Sequence, residues 1–149
     1  MTPKEYLEEI VLPTVADYER DTQSRRLAYL ACIVTYHMAD YLKKAGVEGL
    51  HRNMTDKCDA AWSVVGAVAN GAKHKDNHRS RQPLKFTAGT DQYRPPAVAG
   101  LLECGWSELG DDEGSIVVPA GDEFFYAGIL ESLRTVIRQY KRLYGRDYL

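Results

Sequence analysis

Four stretches of the chain place apolar residues three and four positions apart, the spacing that gathers them on one side of a helix. The first covers residues 3–20, with Tyr6, Leu7, Ile10, Val11, Val15 and Tyr18 as its stripe. Its start is written in Thr2-Pro3-Lys4-Glu5: Thr2 caps, Pro3 suits the first helical position and Glu5 completes a capping box. Pro13 is expected to kink or divide it. The second, residues 25–44, is the clearest: Ser24 is its N-cap, and Leu27, Leu30, Ala31, Val34, Met38, Tyr41 and Leu42 form the apolar face.

The third stretch, residues 55–74, carries Cys58, Ala61, Trp62, Val65, Val68, Ala69 and Ala72 on one side. Ser63, Gly66, Ala67 and Asn70 lie on the adjacent side and are small, so another backbone is expected to come close there. The fourth, residues 122–144, presents Tyr126, Ile129, Leu130, Leu133, Ile137, Tyr140 and Tyr144, with Arg134, Arg138, Lys141 and Arg142 on the solvated side.

Between the third and fourth helices the pattern changes. Residues 84–87 and 115–118 read as short strands, residues 98–104 as a weaker third, and glycines, prolines and the acid run Asp111-Asp112-Glu113 supply turns. The predicted architecture is a mainly α single domain over residues 1–149: a bundle of four or five helices with a small antiparallel β-hairpin or ribbon at about 84–118, before the last helix. A ribbon this small has to lean on the helices or on a partner chain.

Composition narrows the class. The chain has 149 residues, 44% hydrophobic and 27% charged, enough for a core without disulfides or metal. A net charge of -2 gives no global sign of a nucleic-acid binder, so any such role has to rest on local charge. Three widely spaced cysteines and an acidic start, MTPKEYLEEI, point to a reduced, cytoplasmic protein. Residues 27–39 lack Asp, Glu, Lys and Arg but are too few to cross a bilayer, so no membrane partner is expected.

The chemistry concentrates where the third helix ends. Asn70 and His74 are four apart and share a face. The run that follows carries Lys73, Lys75, Arg79 and Arg81 against a single Asp76. A histidine beside cations binds phosphate and acts as acid or base near neutral pH. The plainer role for Lys73 and His74 is to complement the helix's negative end. His37, on the edge of the second stripe, has Asp40 one turn later as a hydrogen-bond partner and is a candidate supporting residue. His37, Asp40, His51, His74 and His78 are of metal-ligand type, yet no spacing is diagnostic, so neither a metal nor a cofactor is called for. No Gly-x-Ser-x-Gly elbow and no phosphate-cradling glycine loop is present.

The helical order, with Asn70-Gly-Ala-Lys-His74 closing one helix, resembles HEPN domains, all-helical bundles of many prokaryotic and phage-defence proteins. Their signature is an arginine, a polar residue, three further residues and a histidine at a helix terminus, often paired across a homodimer. The resemblance implies RNA as partner and His74 and Asn70 as catalytic residues of a metal-independent ribonuclease, or an inactive relative that only binds. It covers roughly the first half of the chain and the last helix, and Ala69 stands at the family's arginine position. Two other readings of the residues stand beside it. One is a non-catalytic phage or mobile-element accessory protein that dimerises or holds an unknown protein partner through the ribbon or the last helix, with ten tyrosines suited to interfaces. The other is a small metalloprotein built from His37, Asp40 and His74.

Overall fold

The computed structural model describes residues 1–73, 84, 86–96, 114–120 and 126–149. They form a mainly helical bundle with a small three-stranded antiparallel sheet before the last helix, as expected. In chain order these are α1 (Pro3–Tyr6), a π-helical turn (Leu7–Val11), α2 (Leu12–Arg20), α3 (Arg25–Lys44), α4 (Leu50–Lys73), β1 (Gln92–Arg94), β2 (Ser115–Pro119), β3 (Tyr126–Gly128) and α5 (Ile129–Tyr144).

The first helix starts on the predicted box: Thr2 N–H donates to Glu5 Oε2 at 2.7 Å and Glu5 N–H donates to Thr2 Oγ1 at 3.2 Å. Pro13 does not divide it. The helix widens into the π turn just before the proline, and Leu12 N–H reaches the Leu7 carbonyl five residues back. A wider turn is one of the few ways a helix tolerates a ring that clashes with the carbonyl four residues earlier.

α3 has the predicted bounds and the Ser24 cap, whose hydroxyl accepts from Leu27 N–H at 3.4 Å. Its buried face differs from the predicted one. Ala28, Ala31, Cys32, Thr35, Met38, Ala39 and Leu42 are buried, whereas Leu30 is 41% exposed and Leu27, Val34 and Tyr41 are half-buried. α3 packs against α2, α4 and α5, and its smaller side chains are the ones that let those helices approach.

α4 begins at Leu50, earlier than expected, after a turn in which Gly49 takes φ 63°, and it bends at Cys58, whose φ and ψ of -155° and 46° are not helical. Beyond the bend the predicted stripe is the core, with Trp62, Val65, Val68 and Ala69 all buried. The whole run of residues 64–69 is buried, because α3 and α5 pack on either side of it. A close backbone approach occurs at Gly71, which is not on the side of Ser63, Gly66, Ala67 and Asn70 where one was expected: a Cβ there would lie 2.8 Å from the Phe86 ring and closer still to the Phe86 carbonyl oxygen.

Residues 84–87 do not form a strand: Leu84, Phe86 and Thr87 lack ladder pairing, and buried Phe86 instead covers Gly71. Lys85 and the weaker strand at 98–104 lie outside the described residues. β2 is the predicted strand, central in the order β1-β2-β3. Gln92 pairs with Val117 and Arg94 with Ser115 on one side; Val117 pairs with Gly128 and Pro119 with Tyr126 on the other. The last helix therefore starts at Ile129 and not near 122: Tyr126, expected on its apolar stripe, belongs to β3, and extended Gly128 is the N-cap. From Ile129 onward the α5 stripe is as predicted.

Tyrosine hydroxyls tie these elements together. Tyr6 donates to the Val34 carbonyl at 3.1 Å, Tyr140 to the Thr35 carbonyl at 3.3 Å, and Tyr18 accepts from Ile116 N–H at 3.1 Å. Losing that last acceptor would leave a buried donor unpaired, at a cost of about 1–3 kcal/mol. Segment 86–91 is held to α3 by Asp91, whose fully buried carboxylate accepts from Arg25 Nε at 2.6 Å and from the Tyr29 hydroxyl. Tyr29 accepts from Gly89 N–H at 3.1 Å and meets the Phe86 ring edge-on.

Gly71→Ala should lower stability by about 1–3 kcal/mol, since the added methyl overpacks against backbone; urea unfolding reads this directly. Burial alone would raise the Asp91 carboxyl, but hydrogen bonds from Tyr29 and Arg25 outweigh it and hold the group below its ordinary value. The folded state thus binds this proton less readily than the unfolded chain, so the contribution is present above about pH 4 and lost as pH falls through the depressed value. Asp91→Asn should cost about 1–2 kcal/mol at neutral pH, a figure reduced because Arg25 is largely exposed. The gap between variant and parent should narrow in acid unfolding curves below pH 4.

Candidate functional site

Three of the predicted residues converge where α4 ends against the middle of α3. Lys73, the final residue of α4, directs its Nζ onto His37 Nε2 across the two helices. On the other side of the ring, His37 Nδ1 lies 2.8 Å from Asp40 Oδ2, the i,i+3 contact expected from the sequence. An ammonium only donates, so Nε2 has to be the accepting nitrogen and Nδ1 carries the proton given to Asp40. The imidazole bridges the Asp40 and Lys73 side chains. The array is open to solvent, with the side chains of His37 37% and Asp40 58% exposed, so it adds about 0–1 kcal/mol to stability.

Chemically, this array holds a cation in place at the end of α4. His37 Nε2 is occupied by Lys73. Lys73 is therefore committed sideways to α3 and not to the last carbonyls of its own helix. The sequence showed the His37–Asp40 pair but not the Lys73 contact, because 36 residues separate the partners and only helix packing brings them together.

Asn70 sits half-buried in the last turn of α4 and is hydrogen-bonded or otherwise engaged. His74, Lys75, His78, Arg79 and Arg81 lie outside the described residues. His51 lies against Tyr36 and Trp62, with ring centroids 6.1 and 5.6 Å away. Burial, then the Lys43 charge, push its imidazole below the ordinary value, while Asp40 opposes them. Among the described residues no three side chains of His, Cys, Asp or Glu cluster as metal ligands. No described helix is long and apolar enough to cross a membrane.

A second feature was not predicted: a hollow of about 490 Å³ between the middle of α4 and the β3–α5 junction, lined in part by Ala61, Val64, Ala127, Asp59 and Glu131. Of these residues the predicted apolar stripes include only Ala61, and Ala127 lies in β3, where the sequence pattern indicated helix.

No protein-family model, no curated protein and no solved structure matches the chain.

In alkaline solution, where imidazoles are neutral, nitrogen-15 shifts should show His37 as the Nδ1–H form. Asp40→Asn and Lys73→Met should each redistribute the proton toward Nε2, and a ring already Nε2-protonated in the parent would contradict the bridge.

Proposed function

We propose that this chain is an RNA-binding helical domain of HEPN-like kind that binds without cutting. The observation that carries the reading is the fixed position of Lys73: His37 and Asp40 hold the first cation of the basic run 73–81 at the exposed end of α4. A phosphate backbone meeting that helix end encounters an anchored charge followed in sequence by Lys75, Arg79 and Arg81. Asn70 and His74 then serve as polar contacts to the strand, with His37 and Asp40 supporting from behind.

Binding is favoured over cleavage by the surroundings of Ala69. The family's arginine position is 1% exposed here and packed inside the bundle, so a long cationic side chain would have no room at this site to reach a phosphate. His74 alone lacks that partner for the charge that develops during transfer. The tyrosines offer little surface for docking a protein, since all ten are buried or half-buried and Tyr6, Tyr18 and Tyr140 serve the interior.

Fluorescence anisotropy with a labelled single-stranded RNA in chelator tests the reading. Binding should weaken with salt, and Lys73→Ala and Arg79→Ala should each lower the slope of log K against log salt by about 0.7. No binding at low salt, or slopes unchanged in both variants, would refute RNA recognition. Shortening of the RNA by the parent but not by His74→Ala would refute the binding-only form and establish the ribonuclease instead.

A further inference from the structure

The hollow beside α4 is a second candidate site, and the charged side chains that line it, Asp59 and Glu131, are acidic. Its wall is made of small and apolar groups, Ala60, Ala61, Val64, Leu84, Ala127 and Gly128, so an apolar body of modest size fits against it. At about 490 Å³ it lies within the range of small-molecule sites.

Its polar groups are unusually one-sided. Ser132 already donates its proton to the Gly128 carbonyl at 2.7 Å, Thr135 to Glu131 Oε1 at 3.3 Å, and Ser63 to Asp59 Oδ1 at 3.4 Å. With those three hydroxyl protons engaged, the side chains present only acceptors: hydroxyl oxygens and two carboxylates with oxygens to spare. No described Lys or Arg lines the hollow or forms an ion pair with Asp59 or Glu131. Among the described side chains of the hollow, an anion or a ligand rich in acceptors would find no free donor. A primary ammonium, with three donors, no acceptor and a positive charge, is the complementary head group.

We propose that this hollow binds an apolar primary amine, its hydrocarbon part on Ala61, Val64 and Ala127 and its ammonium between Asp59 and Glu131. Both carboxylates are exposed at the rim, so each contributes modestly and the apolar wall supplies the rest.

The test uses the whole chain and three probes of matched length: n-hexylammonium, n-hexanol and hexanoate, titrated by NMR at neutral pH. Hexylammonium should saturate with a Kd of about 1 mM and shift signals of Ala61, Val64 and Ala127, with hexanol weaker and hexanoate weakest. Asp59→Asn and Glu131→Gln should each weaken hexylammonium about threefold to fivefold without altering hexanol. Both substitutions are at exposed positions, and unchanged amide spectra elsewhere will show that the variants are folded. Equal affinity for alcohol and amine, no saturation, shifts confined to other surfaces, or binding indifferent to both substitutions would each overturn the proposal. RNA binding has no bearing on these outcomes.

Discussion

The whole molecule answers to one constraint: the second half of α4 is enclosed on nearly its full circumference. Residues 64–69 are all buried, so a charge on this part of the helix would have no water to face. Its neighbours have to supply complementary surfaces, and they do so with short side chains on α3 and a strongly apolar stripe on α5. Trp62 marks the margin of this region, packed on Tyr36 at 4.8 Å and edge-on to Tyr140 at 6.2 Å. At the far end Gly71 admits the Phe86 backbone, so even the connecting segment lies tight on the rod. Charge and polarity are thereby pushed to the two ends of α4 and to its exposed flank at Asp59, where both candidate sites lie.

What holds the surrounding parts in register is largely a set of tyrosine hydroxyls. Each combines a buried ring with one directional bond, so a single residue contributes both area and alignment. Burial raises Tyr6 and Tyr29 to about 12, and Tyr18 and Tyr140 further, so these phenols stay protonated under any ordinary condition. Tyr18 substitutes for a strand neighbour at Ile116, which explains how a three-strand sheet is kept against α2.

The sequence carried the helices well because their signals are local. The Thr2 box and the Ser24 cap lie within four residues of what they cap, and stripes such as Leu133, Ile137, Tyr140 and Tyr144 repeat at helical spacing. It failed where a partner far along the chain decides. Tyr126-Ala127-Gly128 has no strand pattern of its own and becomes extended by pairing with Val117–Pro119. Residues 84–87 look like a strand but find a glycine to cover instead. The exposed Leu30 shows that periodicity locates a face without saying which neighbour will claim it. At the candidate site His37–Asp40 was readable as a one-turn pair, whereas the approach of Lys73 depended on how two helices cross.

Chain association through the sheet is limited by how little edge the described sheet offers. β2 is buried along residues 115–118, and the strands flanking it, β1 and β3, are three residues each. An incoming strand at either side of this ribbon would find a ladder about one peptide repeat long before the partner runs out. The described sheet is thus poorly suited as a template for fibre growth or strand exchange.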